Sequence, residues 1–477
     1  MTPTANALER PAHLNAVTSD LIAELKAIVG EKRLFVDAEV MADYSHDWTE
    51  DLRFPPEVVV KPETTAEVSA ILRACHARSV AVTPMGARTG LSGGMLPVYG
   101  GVALALERMN KILHLDERNL QVTVQPGVIT QVIQEAAEAV GLMYPPDPSS
   151  KGSCLIGGNL AENSGGAHAV KYGITRDYVL SLEAVLPNGE IIRTGANVLK
   201  NSTGYSLTHL LVGSEGTLAV ITEATLKLVP KPRHTVLLMA PFAEPEPACD
   251  AVSAIFRAGV TPSALEFMEI DAIKFGQAFL NLNMYETEGV GAHLLVELDG
   301  NDLTVLQAEA EAVSQVLYDH GAMDILFADT PQQQTDLWRL RRCMGEAVKG
   351  NTIYKEEDTV VPRAELAKLL RKVKDVGSRY GFQSVCYGHA GDGNLHVNII
   401  KNDIPDDKWE NDIPEAIREI FAYVVQLRGT LSGEHGIGWV QRRYMDIAFS
   451  PQEMALMLGI KQVFDPKGIL NPGKIFL

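Results

Sequence analysis

Two histidines flank a short glycine-rich turn in the segment YGHAGDGNLHVNII, residues 387–400. The small and polar residues of the turn predict a tight loop, and the apolar residues before and after it predict two short strands, 384–387 and 395–400. A strand, a tight loop and a second strand fold the chain back on itself. His389 and His396 can therefore face one point in space.

A second glycine-rich bend supplies a carboxylate and a third imidazole. It is formed by residues 433–438, GEHGIG, and carries Glu434 and His435. Two neutral imidazoles and one carboxylate form a common site for a divalent metal with open coordination positions. The simpler alternative is that each histidine is a satisfied structural residue. The joint pattern favours a metal site formed by His389, His396 and Glu434.

The bulk properties of the chain describe an acidic globular protein. Its 477 residues are too many for one small core, so two or more domains are expected. Hydrophobic residues make up 46% of the chain and the mean hydropathy is +0.02. The net charge of −18 argues against a nucleic-acid surface, which needs a clustered basic face.

The cysteines and the apolar runs indicate the compartment. Five cysteines lie far apart without a CxxC pair, which gives no signal for an iron–sulfur cluster or a zinc ribbon and fits free thiols in a reducing compartment. No apolar run approaches the ~18–20 residues that cross a bilayer, and the first residues lack a hydrophobic signal core. The sequence predicts a cytoplasmic protein without a transmembrane segment.

Three loops rich in glycine and hydroxyl residues lie in the first half of the chain. They are MGARTGLSGG (85–94), which follows a predicted strand at 80–83, IGGNLAENSGG (156–166) and GSEGTL (213–218). The first loop is neither a Walker loop nor a GxGxxG fingerprint, so a nicotinamide site is not expected. Bare backbone N–H groups in such loops can surround a pyrophosphate. Because glycine is entropically unfavourable, three such loops indicate close approach to a large ligand.

These loops, with GSEGTLAVIT (213–222), DPKGILNPGK (465–474), HAGDGNLH and GEHGIG, resemble the FAD-binding oxidoreductases of the vanillyl-alcohol oxidase superfamily. Within it the chain is similar to the branch that contains the flavin-binding GlcD-type chain of glycolate oxidase, D-lactate dehydrogenase and D-2-hydroxyglutarate dehydrogenase. The similarity extends over residues 58–477. The motifs specify the branch and not one substrate.

The resemblance implies an α+β fold with a two-subdomain, PCMH-type FAD-binding domain. It also implies an α/β cap domain with an antiparallel sheet, and C-terminal helices that return to the flavin domain. The expected ranges are an N-terminal tail with helices at 1–54, the FAD-binding domain at 55–233, the cap or substrate domain at 234–436 and the C-terminal helical segment at 437–477.

The resemblance also assigns the FAD contacts. They belong to the three loops, to the Pro-Asp step between the first two and to the C-terminal motif: Pro84, Gly86, Ala87, Arg88, Thr89, Gly90, Leu91, Ser92, Gly93, Gly94, Pro146, Asp147, Gly157, Gly158, Asn159, Asn163, Ser164, Gly166, Gly216, Ile221 and Asn471. Some superfamily members bond the flavin to a His or Cys near the first loop. Residues 86–94 contain neither, so non-covalent FAD is expected, with His114 and Cys154 as outside candidates.

The chemistry implied is oxidation of a small D-2-hydroxy acid, of the D-lactate or glycolate kind. Flavin N5 takes the hydride from carbon 2, because no side chain can store two electrons reversibly. A divalent metal, zinc first with manganese and iron as other candidates, holds the substrate carboxylate and hydroxyl. His435 is then the base, or else it orients Glu434.

By resemblance, Arg341 grips the substrate carboxylate and Lys355 lies beside it; a solvated basic helix face is the alternative for Arg341. In the 2-hydroxyglutarate enzymes a threonine one turn after this arginine contacts the distal carboxylate. Gly345 stands at that position here. This difference weakens the case for a five-carbon diacid and leaves room for a monocarboxylate.

Three other functions stay open at this point. They are D-2-hydroxyglutarate dehydrogenase, a flavin transferase similar to alkyl-dihydroxyacetonephosphate synthase, and an inert subunit of a larger oxidoreductase. The chain has no second redox motif, so the electrons are expected to pass to a partner protein or a quinone. The partner is an electron-transfer flavoprotein, a cytochrome or an iron–sulfur subunit, and a homodimer is a further option.

Overall fold

The computed structural model describes residues 8–49, 52–282, 285, 287–328 and 330–477. Its helices are α1 Ser19–Val29, α2 Ala38–Asp43, α3 Thr65–Arg78, α4 Thr130–Glu138, α5 Ile156–Glu162, α6 Ala169–Tyr172, α7 Leu207–Leu211, α8 Pro245–Arg257, α9 Ile270–Leu280, α10 Leu303–Asp319, α11 Pro331–Arg342, α12 Met344–Asn351, α13 Leu366–Tyr380, α14 Asp406–Gln426, α15 Met445–Ala448 and α16 Pro451–Phe464. Short 3-10 helices lie at Glu31–Arg33, Thr175–Tyr178, Arg363–Glu365 and Gln441–Tyr444.

The strands are β1 Leu34–Phe35, β2 Val58–Val60, β3 Val82–Met85, β4 Val102–Ala105, β5 Ile112–Asp116, β6 Gln121–Val124, β7 Leu142–Met143, β8 Val179–Val185, β9 Ile191–Gly195, β10 Val220–Lys227, β11 Val229–Pro230, β12 His234–Phe242, β13 Ala264–Glu269, β14 Ala292–Gly300, β15 Leu326–Phe327, β16 Tyr354–Val360, β17 Gln383–Gly388 and β18 Asn394–Ile400. Helices and mostly antiparallel sheets occur together, which confirms the predicted α+β class. Within the described ranges, no helix combines the length and the apolar character that a bilayer span requires.

The chain folds into two compact units. The first unit contains the described residues of Met1–Gly165 together with Ile174–Lys231 and Glu434–Leu477. The second unit contains Gly166–Gly173 and Pro232–Gly433. The second unit therefore includes eight residues, 166–173, that the sequence-based ranges placed inside the FAD-binding domain.

Two principal sheets form the first unit. In the four-stranded sheet, of order β1-β2-β4-β3, β2, β4 and β3 are parallel. All three residues of β2 are buried, as expected for a parallel strand covered on both faces. Helix α3 connects β2 to β3; it begins at the Thr64 cap, whose hydroxyl accepts from the Glu67 amide. The five-stranded sheet, β5-β6-β10-β8-β9, is antiparallel, and β7 pairs with β11 separately.

One seven-stranded antiparallel sheet organises the second unit, in the order β15-β12-β14-β13-β17-β18-β16. The core on it includes Leu295, Met268 and Val385 from the strands and Leu340 and Met344 from α11 and α12. Strands β17 and β18 flank the turn that carries the two histidines, which confirms the strand–loop–strand prediction.

Residues 166–173, here called the strap, pack within the second unit although they follow the second glycine loop in sequence. His168 lies 2.9 Å from a carboxylate oxygen of Glu297, and the Tyr172 hydroxyl donates to Asp299 at 2.6 Å. Val170 packs against Gly391 so closely that a Cβ on this glycine would lie 2.6 Å from a Val170 methyl group. The strap thus fixes the turn between the two histidines.

Candidate active site

One face of the seven-stranded sheet gathers polar side chains. Asp358 on β16 and Tyr387 on β17 both lie opposite His396 on β18, so the three side chains share one face. Glu356 lies opposite Asn398 two residues further and points to the same face. Such a row of buried polar groups inside a sheet requires partners.

His389 and His396 come together as the sequence predicts. Ring nitrogens of the two histidines lie within 4.8 Å of one another, and the ring centroids are 5.6 Å apart. His389 Nδ1 lies 2.9 Å from both carboxylate oxygens of Glu266. His396 Nδ1 lies 3.7 Å from carboxylate oxygens of Glu356 and Asp358. With Nδ1 of each ring facing carboxylates, Nε2 is the nitrogen available to a metal.

Arg341 reaches the same cluster from α11. Its Nη2 lies 2.6 Å from Glu266 Oε2, and its guanidinium carbon lies 5.3 Å from the Tyr387 ring centroid. The Arg341 side chain is 4% exposed, so a solvated helix face does not describe it. Its Nε is buried and has no hydrogen-bonding partner in the part of the chain that the structure describes. Burial holds the pKa of Tyr387 well above its usual range.

The GEHGIG bend begins beside this cluster along the chain. The Gly433 amide donates to Asp358 Oδ2 at 2.8 Å, and the Ser432 hydroxyl donates to the same oxygen at 2.8 Å. Glu434 and His435 follow directly and belong to the first unit, where both are partly buried. There the Glu434 carboxylate approaches the second glycine loop, since a Cβ on Gly165 would lie 3.2 Å from Glu434 Oε2.

Lys355 lies on the other face of the sheet. It pairs with Ile399, and its Nζ lies 4.9 Å from the ring centroid of Trp409 on α14. The structure therefore does not bring Lys355 together with Arg341; the neighbouring position that faces the histidines is Glu356. A substrate contact of Lys355 stays a prediction that this geometry does not favour.

Gly345 borders the cluster. A Cβ at this position would lie 3.4 Å from the Tyr387 hydroxyl oxygen, which is an ordinary contact distance. A larger side chain would therefore project toward the ring over which Arg341 lies.

The three glycine loops converge in the first unit. Gly86 of the first loop faces the backbone of Gly158 in the second, with an ideal Cβ 3.7 Å from the Gly158 nitrogen. Gly216 of the third loop packs on Pro84, with a Cβ-to-Cγ distance of 3.4 Å. Asn471 joins them, because its side-chain amide donates to the carbonyl of Gly94 at 2.8 Å and to that of Glu215 at 2.7 Å.

Glu215 links the third loop to the GEHGIG bend. Its carboxylate accepts from the amides of Ile437, at 2.8 Å, and Gly438, at 2.6 Å. Its own amide donates to the Ala161 carbonyl at 2.8 Å, and its φ is +51°. Glu215 therefore fixes the backbone two and three residues after His435.

Further ionisable groups are buried next to Glu215. The Glu162 carboxylate lies between two glycines, with ideal Cβ atoms at 2.9 Å for Gly94 and 2.1 Å for Gly436. Burial raises the pKa of Glu162 well above its usual range, and burial raises that of Asp47 to about 6. Burial also lowers the pKa of Lys474 to about 7.

Comparison with known proteins identifies the family. The model of FAD linked oxidases, C-terminal domain, matches residues 231–475, and that of an FAD binding domain matches residues 56–195. The chain belongs to the FAD-linked oxidase family. It is 42% identical over 467 residues to a D-lactate dehydrogenase of Anaerostipes hadrus, covering 97% of this chain and 98% of that one. It is 39% identical over 463 residues to glycolate oxidase subunit GlcD of Bacillus subtilis, covering 96% and 97%.

Among solved structures, p-cresol methylhydroxylase with substrate bound shares the fold, with a TM-score of 0.80 at 18% identity over 97% of this chain and 98% of that one. The FAD-linked oxidase fold and an oxidoreductase activity of the D-lactate, glycolate or D-2-hydroxyglutarate dehydrogenase type are therefore established for this chain.

The residues of the first unit fit FAD. The backbone at Gly158 borders open space, because an added Cβ would meet no atom within 4 Å. Ser92 Oγ is buried without a hydrogen-bonding partner among the described residues. Of the two outside candidates for covalent attachment, Cys154 is buried against Thr130, with Sγ 3.4 Å from the hydroxyl oxygen, and His114 is exposed on β5.

Several residues of the cluster were not singled out from the sequence: Glu266, Glu356, Asp358 and Glu215. Glu266 and Asp358 lie in strands that are largely buried, and a charged residue in such a strand is a signal in itself. Neither their partners nor their face can be read without the pairing register.

Proposed function

We propose that the chain is a metal-assisted, FAD-dependent dehydrogenase that oxidises a small D-2-hydroxy monocarboxylic acid, of the D-lactate or glycolate kind, to the 2-oxo acid. The observation that carries this proposal is the cluster in the second unit. Two buried imidazoles and a buried guanidinium meet there through one carboxylate, that of Glu266.

The donor set fits a divalent metal. His389 and His396 offer two imidazole nitrogens, and Glu434, which follows the Asp358-bound Gly433, is the carboxylate that would complete the set. Zinc is our first choice, with manganese and iron as alternatives. When bound, such an ion makes a substrate hydroxyl more acidic.

The side chains then have separate tasks. Arg341 binds the substrate carboxylate through its partner-free Nε edge, because a planar guanidinium pairs well with a carboxylate. His435 receives the hydroxyl proton, since its imidazole titrates near neutral pH. FAD, held without a covalent bond by the three glycine loops and Asn471, supplies the hydride acceptor.

Charge and space favour a monocarboxylate. The contacts of the two histidines lead to three carboxylates, Glu266, Glu356 and Asp358, and to one guanidinium within the described residues. A second substrate carboxylate in this cluster would be repelled by like charges. Gly345 leaves the space beside the Tyr387 hydroxyl without a side-chain donor of its own.

The electrons leave through an external acceptor in this proposal, either a partner redox protein or a quinone, because the five cysteines show no spacing for a second redox centre. We also propose a cytoplasmic location, on the evidence of cysteines that are all free and buried.

Anaerobic reduction of the flavin tests the proposal. The purified protein is mixed with D- and L-lactate, glycolate and D-2-hydroxyglutarate, with and without a chelator, and loss of flavin absorbance is followed. We expect rapid bleaching by D-lactate or glycolate, slow bleaching by L-lactate and D-2-hydroxyglutarate, and strong inhibition by the chelator. Faster bleaching by D-2-hydroxyglutarate would replace the monocarboxylate proposal, and absence of bleaching by any hydroxy acid would favour a flavin transferase.

A further inference from the structure

Glu266 is a buried carboxylate with two demanding partners. Its side chain is 1% exposed on β13, and it lies between Arg341 and His389, which are 4% and 7% exposed. A carboxylate removed from water so completely must be compensated by its neighbours. Here one neighbour is the proposed substrate-binding group and the other is a proposed metal ligand.

Toward His389, Glu266 selects the state of the ring. Both carboxylate oxygens lie 2.9 Å from Nδ1, so Nδ1 carries the proton and donates it to Glu266. Nε2 then keeps its lone pair for a metal. Carboxylates in this position orient metal-binding histidines and raise their basicity, and their removal typically weakens metal binding about 10- to 100-fold.

Toward Arg341, Glu266 occupies only part of the guanidinium. The ion pair uses Nη2, at 2.6 Å, whereas Nε has no partner within the described residues. A substrate carboxylate that binds the Nε and Nη2 edge therefore shares Nη2 with Glu266. Sharing weakens the attraction of Arg341 for Glu266, so the Glu266 charge acts more strongly on the hydrogen bond from His389.

We propose that Glu266 is a positioning residue that couples metal binding at His389 to carboxylate binding at Arg341. This proposal rests on the proposed function, since it takes these two residues as metal ligand and substrate anchor. Coupling between two sites is reciprocal and typically amounts to a factor of about 5 to 150. Substrate or product thus tightens the metal, and the metal tightens substrate or product.

The test measures zinc affinity and needs no turnover. Full-length, FAD-loaded protein is titrated with zinc against a chromogenic chelator, with and without pyruvate as the carboxylate probe. In the wild type, pyruvate should lower the zinc Kd by about fivefold or more. In Glu266→Gln the zinc Kd should rise about 10- to 100-fold, and the effect of pyruvate should fall below about twofold.

Glu269 provides a matched control on the same strand. It is also buried, and its carboxylate accepts from Lys374 Nζ at 2.8 Å and from the Cys386 amide at 2.7 Å. Glu269→Gln removes a buried charge of the same kind at a site outside the cluster. It should lower stability, yet its zinc Kd and its pyruvate effect should stay within about twofold of the wild type. Glu266→Asp, which keeps the charge, should retain a measurable pyruvate effect.

Two results would overturn the proposal. A Glu266→Gln variant that binds zinc as tightly as the wild type would show that Glu266 does not position His389. A pyruvate effect that persists in full in Glu266→Gln would show that pyruvate acts through the metal directly. Both results leave the proposed dehydrogenase intact, because flavin bleaching by D-lactate tests it separately. A wild-type protein that takes up no divalent metal would overturn the coupling and the metal part of the proposed function together.

Discussion

Replacing Glu215 by Gln should loosen the GEHGIG bend by an amount that the structure lets us work out. The carboxylate accepts from two amides, Ile437 at 2.8 Å and Gly438 at 2.6 Å. Gln keeps one acceptor oxygen and turns its NH₂ group toward the other amide. One hydrogen bond to a charged group, about 1.5–3 kcal/mol, is lost and one buried N–H is left unpaired.

The expected net loss of stability is about 2 kcal/mol. Loss of the bond and exposure of the unpaired amide together cost about 3 kcal/mol. Burial raises the pKa of Glu215, so removing its charge gives back roughly 1 kcal/mol. A loss of about 2 kcal/mol lowers the Tm of a unit of this size by about 4–8 °C. Differential scanning calorimetry measures the shift.

The functional consequence follows from the position of His435, which precedes the two anchored amides by two and three residues. Glu215→Gln should reduce the rate of flavin bleaching by D-lactate while FAD stays bound. Glu223→Gln is the control, because Glu223 lies on β10 with a side chain that is 27% exposed. A Glu215→Gln variant that matches this control in both Tm and bleaching rate would refute the reasoning.

Three further predictions concern the metal, the substrate and pH. His396→Ala should abolish stoichiometric zinc, measured by elemental analysis, and keep the FAD absorbance; full zinc occupancy would remove His396 from the ligand set. Gly345→Thr places a hydroxyl near that of Tyr387 and should raise the kcat/KM ratio of D-2-hydroxyglutarate to D-lactate about tenfold, whereas an unchanged ratio would separate Gly345 from the substrate. Asp47 has its pKa raised from 3.8 to about 6 by burial, so its folded form binds the proton more tightly. Stability should therefore fall by about 3 kcal/mol as pH rises from 4 to 6 and level off above. Asp47→Asn should flatten this profile in chemical denaturation, and an identical slope would contradict the assignment.

The elements that carry the chemistry could be predicted from the sequence because their signals are local. Glycine and small polar residues between two apolar runs predict a tight turn, and the structure has β17 and β18 on either side of it. The predicted strand at 80–83 is observed as β3, Val82–Met85, two residues later. The glycine loops also follow from composition, since positive φ angles such as that of Gly216, +63°, favour glycine.

Contacts that depend on strand pairing could not be predicted. Glu266 meets His389 across 123 positions of sequence, and only the pairing of β13 with β17 brings them together. Lys355 and Glu356 are adjacent, and a shift of one residue exchanges the face that each occupies. The resemblance placed a cation beside Arg341, whereas the register places a carboxylate near His396.

The strap has a practical consequence for anyone who wishes to produce the second unit alone. The chain passes between the two units at four places, after residues 165, 173, 231 and 433. Expression of residues 232–433 would omit the strap and strip Glu297 and Asp299 of the His168 and Tyr172 side chains that now cover them. Such a fragment would expose two buried acids and the floor under Gly391. A recombinant version of the second unit therefore needs residues 166–173 grafted back, by a linker or by circular permutation.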